Sequence, residues 1–225
     1  MRVIYTFYPT ILSREWVKPD FQQWFLRKSI KDALRFYSEV YFYTNDEFAK
    51  QIKDIQGIHI IIQEPRPFDK ELWAMPKIFA YEAQNTPFLF LDLDVILGHQ
   101  PEFDSVLVES IDSGALFKES YRQAEMHHTH AFNMGVYGCK DLSFNTEFCK
   151  KAHQFIADNY EKFAKKGIIR FMPIYFEQLM LAETLKEFNL EPKLIDNPNY
   201  VHLKNQKWDL ETYNKMLKKQ KKTIY

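Results

Sequence analysis

Cysteine is scarce in this chain: Cys139 and Cys149 are the only two among 225 residues. Two thiols ten positions apart match neither zinc-ligand nor redox spacing, so a disulfide scaffold and a zinc ribbon are excluded, and a reduced, cytoplasmic setting is the expectation. Charge of one sign is also missing. Lys plus Arg and Asp plus Glu both number 30, giving zero formal net charge. There is no global electrostatic pull toward nucleic acid, and any charged partner has to be met by a local patch. No apolar run reaches the roughly 18 residues of a membrane-spanning helix. The opening MRVIYTFYPT lacks the long apolar core and small-residue cleavage site of a signal peptide. Internal repeats and low-complexity tracts are absent. So is any glycine in TFYPTILSREW, which argues against a glycine-rich triphosphate cradle after the first strand.

What is present is apolar mass. Hydrophobic residues make up 46% and aromatics 16% of the chain, too much for a disordered segment and enough for a large core. The first ninety residues alternate between β-branched or aromatic runs and helical periodicity. Strands are expected over Arg2–Phe7, Val40–Tyr43, Ile58–Gln63 and Phe88–Asp92. Helices are expected over Phe21–Ser38, Glu47–Asp54 and Leu72–Gln84, with Asp20 capping the first and Thr44-Asn45-Asp46 available to cap the second. Such alternation predicts an α/β fold with a mostly parallel central sheet flanked by helices on both faces. Further strands are expected at Ser113–Lys118, Ala131–Cys139 and Lys193–Ile195. Helices are expected at Leu142–Lys166 and, behind Pro173, at Ile174–Phe188. Tyr200–Trp208 reads as a loop, with Asp209 placed to cap a last helix.

The chemistry concentrates in PFLFLDLDVIL, Pro87 to Leu97. An apolar strand runs into two carboxylates, Asp92 and Asp94. At strand periodicity they share a face, about 7 Å apart along the backbone. Two like charges closing a buried strand repel and resist desolvation. Water, a cationic side chain or a hard divalent cation relieves them, and Mg²⁺ or Mn²⁺ takes such oxygen ligands and shares them with phosphates. Ligands of parallel sheets bind beyond the carboxyl ends of the strands. Thr6 and Asp46 also fall at strand ends, so they can converge with the acidic pair.

FLFLDLDVIL after three strand–helix units resembles the DxD segment of nucleotide-sugar-dependent glycosyltransferases of the GT-A fold. The resemblance implies a single GT-A-like, Rossmann-like domain over 1–225. Its nucleotide-binding half would be 1–97, its sugar and acceptor half 98–208, and 209–225 a basic terminal helix. It implies that Asp92 and Asp94 hold Mn²⁺ or Mg²⁺, with Asp92 also near the ribose, and that the metal offsets the donor's diphosphate. Phe132-Asn133-Met134-Gly135-Val136 is similar to the N-G-G-V segment of such enzymes, with Met134 in place of the first glycine; it implies that Asn133 contacts sugar or acceptor. Glu177-Gln178 resembles the acidic-plus-Gln pair that lines the donor sugar. Val201 to Trp208 is similar to the H-x-x-G-x-x-K-P-W segment of family 8, lacking the proline and one residue short between His and Lys. On that likeness His202 is the third metal ligand and Lys207 a diphosphate contact. Lys77, in a K-x-x-A pattern ahead of the acidic strand, is expected to neutralise a carboxylate or phosphate. Thr6 and Asp46 are expected near the base and ribose.

The function implied is a metal-dependent, hexosyltransferase-type transfer from a nucleotide-diphosphate sugar, with a UDP-sugar as the favoured donor. The acceptor (glycan, lipid-linked or protein), the sugar and the stereochemical outcome stay open. Two alternatives share parts of the pattern. A haloacid-dehalogenase-like phosphatase also carries an apolar strand with D-x-D, but its later paired acidic motif is missing. A non-catalytic sugar-nucleotide or carbohydrate-binding module would keep the site and lack turnover. His127, His128 and His130 beside Glu125 read as a polar loop near the acceptor. Lys215–Lys222 reads as a solvated helix end or as a weak contact with an anionic surface at the inner membrane face.

Overall fold

The structure is a computed structural model that describes residues 1–9, 19–63, 68–112 and 131–204, with four isolated positions at 118, 122, 211 and 214. Four strands alternate with three helices: β1 (Arg2–Phe7), α1 (Pro19–Ala33), β2 (Val40–Thr44), α2 (Asp46–Ile52), β3 (Ile58–Ile62), α3 (Met75–Glu82) and β4 (Phe88–Leu91). Then follow β5 (Val95–Ile96), β6 (Val106–Asp112), β7 (Ala131–Cys139) and the long α4 (Leu142–Lys165). A π-helical segment at Ile174–Leu179 runs directly into α5 (Met180–Glu187), and the last strands are β8 (Lys193–Leu194) and β9 (Val201–His202).

Seven strands form one sheet in the order β3-β2-β1-β4-β7-β6-β8. The pairs β1–β2, β2–β3, β1–β4 and β6–β8 are parallel; β7 alone runs against its neighbours β4 and β6. Every residue of β4 is buried, which is why FLFL is continuously apolar rather than alternating. One face of the sheet presents Ile4, Phe88, Phe90 and Tyr137 to α3, α4 and α5. The other presents Val3, Tyr5, Leu89 and Leu91 to α1 and α2. The chain is thus α/β, with a mostly parallel sheet covered on both sides.

Local sequence explains the helix starts. Asn45 Oδ1 accepts from Phe48 N at 3.0 Å and caps α2. Asp141 does the same for α4 through Ser143 N at 2.9 Å and Phe144 N at 3.2 Å. Pro76 falls in the first turn of α3, where a missing N–H costs nothing.

Three expectations are corrected, and a fourth, the strand over Ser113–Lys118, falls largely outside the described residues. Asp20 lies inside the first turn of α1 rather than capping it, because the helix begins at Pro19. Strand β6 forms over Val106–Asp112, ahead of the expected Ser113–Lys118, most of which lies outside the described residues. Val201–His202 is a strand rather than loop. Asp92 and Asp94 lie beyond the end of β4, in a turn, instead of sharing one face of a continuing strand.

Candidate metal centre

The turn that ends β4 builds the site. Asp92 N donates to Gly135 O at 2.8 Å, the last rung toward β7, and Val95 N then closes back on Asp92 O at 3.1 Å. This tight reversal brings the two carboxylates closer than a strand would. It also starts β5, which pairs antiparallel with β9 so that Val95 faces His202 and Ile96 faces Val201. Leu203 N donates to Asp94 O at 3.2 Å, and the Leu203 side chain is buried against Phe21 and Phe25 of α1. A backbone ribbon and an apolar anchor therefore fix His202 over the acidic turn.

One ligand atom each from Asp92, Asp94 and His202 lies within 4.8 Å of the other two. His202 Nε2 is 3.5 Å from Asp94 Oδ2, with both side chains buried. Asp92 is more open, its side chain 23% exposed, so the cluster is reached from the Asp92 side. Asp92 Oδ1 pairs with Lys77 Nζ at 2.9 Å, and Lys77 Nζ pairs equally with Glu177 Oε1 at 2.9 Å. Burial works against the charge on Lys77, but Asp92 and Glu177 outweigh it and raise its pKa. Burial pushes the Glu177 carboxyl up to about 7, with Lys77 pulling it back and Asp92 adding to the rise. Burial disfavours the imidazolium of His202, yet hydrogen bonds to Asp94 and Glu109 prevail and lift it to about 9.

Glu109 is the member that sequence reasoning missed. It is buried on β6, accepting from His202 Nδ1 at 2.7 Å through Oε2, while Oε1 pairs with Lys204 Nζ at 2.8 Å. The signal lay in V-L-V-E-S-I-D, an acid inside a strand-like run, and was lost because that strand was not anticipated. Gly135 leaves the room that the His202–Glu109 pair occupies. A Cβ there would lie 2.4 Å from His202 Cε1 and 2.6 Å from Glu109 Oε2, so a side chain at 135 would drive into the imidazole–carboxylate pair.

A family model described as "Family of unknown function (DUF6734)" matches residues 1–111 and again 110–223. The chain belongs to DUF6734. No curated protein matches it. Among solved structures it is similar to the glycosyltransferase GlyE of Streptococcus pneumoniae TIGR4, at 16% identity and a TM-score of 0.43 over 72% of this chain and 40% of that one. It is similar to an active-site mutant of LgtC at 14% identity and 0.45, over 72% of this chain and 65% of that one. It is also similar to mouse xyloside xylosyltransferase 1 in its apo form, at 11% identity and 0.43, over 88% and 98%. The chain thus spans less than two thirds of the length of GlyE and of LgtC. At this distance the chemistry has to be read from the residues of the DUF6734 chain itself.

Those residues fit a divalent cation. Two carboxylates and an imidazole form a mixed oxygen–nitrogen donor set, and Asp92 is its most exposed member. Gln178 is buried with its Oε1 lacking a hydrogen-bond partner among the described residues, next in sequence to the Lys77-bound Glu177. Both come from the π-helical segment, whose wider turn is closed by Met180 N on Tyr175 O; such turns recur at functional sites. The other expected residues are placed less centrally. Asn133 Oδ1 accepts from Gly135 N at 3.0 Å and shapes the backbone beside Asp92. Thr6 lies within β1, its hydroxyl buried without a partner among the described residues. Asp46 is exposed in the first turn of α2 and ion-paired with Lys50. Lys207, the cluster of His127, His128 and His130 with Glu125, and the Lys215–Lys222 run lie outside the described residues.

Proposed function

We propose that this chain is a divalent-cation-dependent glycosyltransferase that moves a sugar from a nucleotide-diphosphate donor, a UDP-sugar being favoured, to an acceptor hydroxyl. The observation that carries the reading is the convergence of Asp92, Asp94 and His202 within 4.8 Å at the end of the central strand. That is the place where parallel sheets present their ligands. Three protein ligands leave about half of a six-coordinate shell for donor oxygens. The imidazole favours Mn²⁺ over Mg²⁺, which keeps to oxygen. When bound, the cation supplies Lewis-acid charge to the diphosphate as its bond to the sugar breaks.

The chain's own residues supply the rest. Asp92, Asp94 and His202 hold the cation. Lys77 holds Asp92 in place and keeps a positive charge beside it. Glu177 and Gln178 form a buried polar wall for the donor sugar, with Gln178 Oε1 able to accept a hydrogen bond from a sugar hydroxyl. Asn133 is assigned to sugar or acceptor, Thr6 and Asp46 to base and ribose, and Lys207 to the diphosphate, each on the sequence resemblance. The sugar's bond to the diphosphate oxygen breaks, its electron pair staying on that oxygen, and a new bond forms to the acceptor oxygen as the acceptor's proton passes to the departing diphosphate, directly or through water.

The test is a thermal-shift screen of UDP-sugars with and without Mn²⁺. A rise in midpoint beyond that given by Mn²⁺ alone is expected when both are present, since a ligand at about 100 times its Kd stabilises by about 2.7 kcal/mol. Asp94→Ala should abolish that rise. An unmoved wild-type midpoint across the whole screen would overturn the reading.

A further inference from the structure

Glu109 carries more than a buried ion pair requires. A carboxylate taken out of water must have both oxygens engaged, and here His202 takes one and Lys204 the other. The surrounding backbone is shaped around this arrangement. The β6–β7 register breaks between Val108 and Ser110, so Glu109 stands at an irregularity, where a strand can re-aim one side chain. Gly135, opposite, leaves the space that the imidazole and carboxylate fill. Lys204 adopts φ 47°, a left-handed conformation that side chains rarely take, and in it reaches Glu109.

Imidazole has two nitrogens and can present only one to a cation. His202 Nδ1 lies 2.7 Å from Glu109 Oε2. Lys204 Nζ lies 2.8 Å from the other oxygen of the same carboxylate, so the carboxylate, which accepts from an ammonium on one side, accepts on the other from Nδ1–H of the ring. Nε2 is then the nitrogen turned toward Asp94. We propose that Glu109 is a positioning residue: by holding Nδ1–H of His202 it fixes ring and tautomer so that Nε2 faces the cation shared with Asp92 and Asp94. Lys204 and the bare backbone of Gly135 keep Glu109 in register for this task. The inference rests on the reading of Asp92, Asp94 and His202 as cation ligands.

The experiment is a Mn²⁺ titration without sugar nucleotide, following free Mn²⁺ by electron paramagnetic resonance. It is run on the wild type, Glu109→Gln, His202→Ala and the double variant, with thermal midpoints recorded for each. Outer-shell partners of ligating histidines commonly carry 10- to 100-fold in metal affinity. Glu109→Gln is therefore expected to weaken Mn²⁺ binding by about tenfold or more, and to add nothing in the His202→Ala background. Gly135→Ala should weaken binding in the same direction, because its Cβ displaces the ring. Wild-type affinity in a folded Glu109→Gln, or losses that multiply in the double variant, would overturn the positioning role while leaving the metal centre intact. Absence of Mn²⁺ binding by the wild type itself would remove the metal reading and this inference together.

Discussion

Lys77 is held between two carboxylates that need it for different reasons. Asp92 is part of the solvent-reached acidic cluster; Glu177 is almost wholly buried and has Lys77 as its ion-pair partner. Because Glu177 titrates near 7 in the folded chain against an ordinary 4.5, the folded state binds a proton that the unfolded state has released between those values. Stability contributed by this group therefore falls as pH rises through that window, by at most about 3 kcal/mol. Glu177→Gln should flatten the slope. Urea midpoints at pH 4.5 and 7.5, measured on cation-free wild type and variant, check it; parallel slopes would show that Glu177 is ionised throughout. Removing Lys77 has the opposite sense. Lys77→Met strands two carboxylates, one of them buried, and a loss of about 3 kcal/mol or more is expected from chemical denaturation. At this scale the acidic pair was legible, because charge in an apolar strand is conspicuous. Glu109 was not, because the strand that buries it was not anticipated and its partners His202 and Lys204 come from far along the chain.

Among the elements, the smallest matters most. The β5–β9 ribbon has two residues on each side, too short for any periodicity to reveal, and His202 was reachable from sequence only through its resemblance to a motif. The first four strands were legible for the opposite reason: each is an apolar run bounded by polar turns. Gly98 shows how the ribbon is secured. Its φ is 74°, and a Cβ there would meet Asn199 Cβ at 2.7 Å and Asn199 O at 2.9 Å. Asn197 Nδ2 donates to Leu97 O at 2.6 Å in the same crossing. Gly98→Ala should push this turn away and loosen β9 while the seven-stranded sheet persists. The expected outcome is unchanged far-ultraviolet circular dichroism with Mn²⁺ affinity lowered about tenfold. Asn45→Ala is the matching control: loss of the α2 cap should cost about 1 kcal/mol and leave affinity untouched.

Across the whole molecule, strand order decided what sequence could not. The alternation of strands and helices predicts a parallel sheet but not that β7 inserts backward between β4 and β6. That reversal puts Gly135 beside Asp92 and lets Glu109, one strand further out, reach His202. No helix among the described residues is long and apolar enough to cross a membrane. Cation binding should tie the last described strand to the middle of the sheet. Amide hydrogen exchange at Val95 and Leu203 is expected to slow on adding Mn²⁺, with exchange in β1 and β2 unaltered; uniform slowing, or none at these two amides, would contradict such a tether.

The pairing of Val95 with His202 also sets an order of events during synthesis. A nascent polypeptide arrested on the ribosome after Asp94 and before His202 already owns the acids of the turn but lacks the imidazole set against them. Assembly of the proposed cation site therefore waits on a segment made long after the turn, and a product terminated between the two would lack that site however well its first strands had paired.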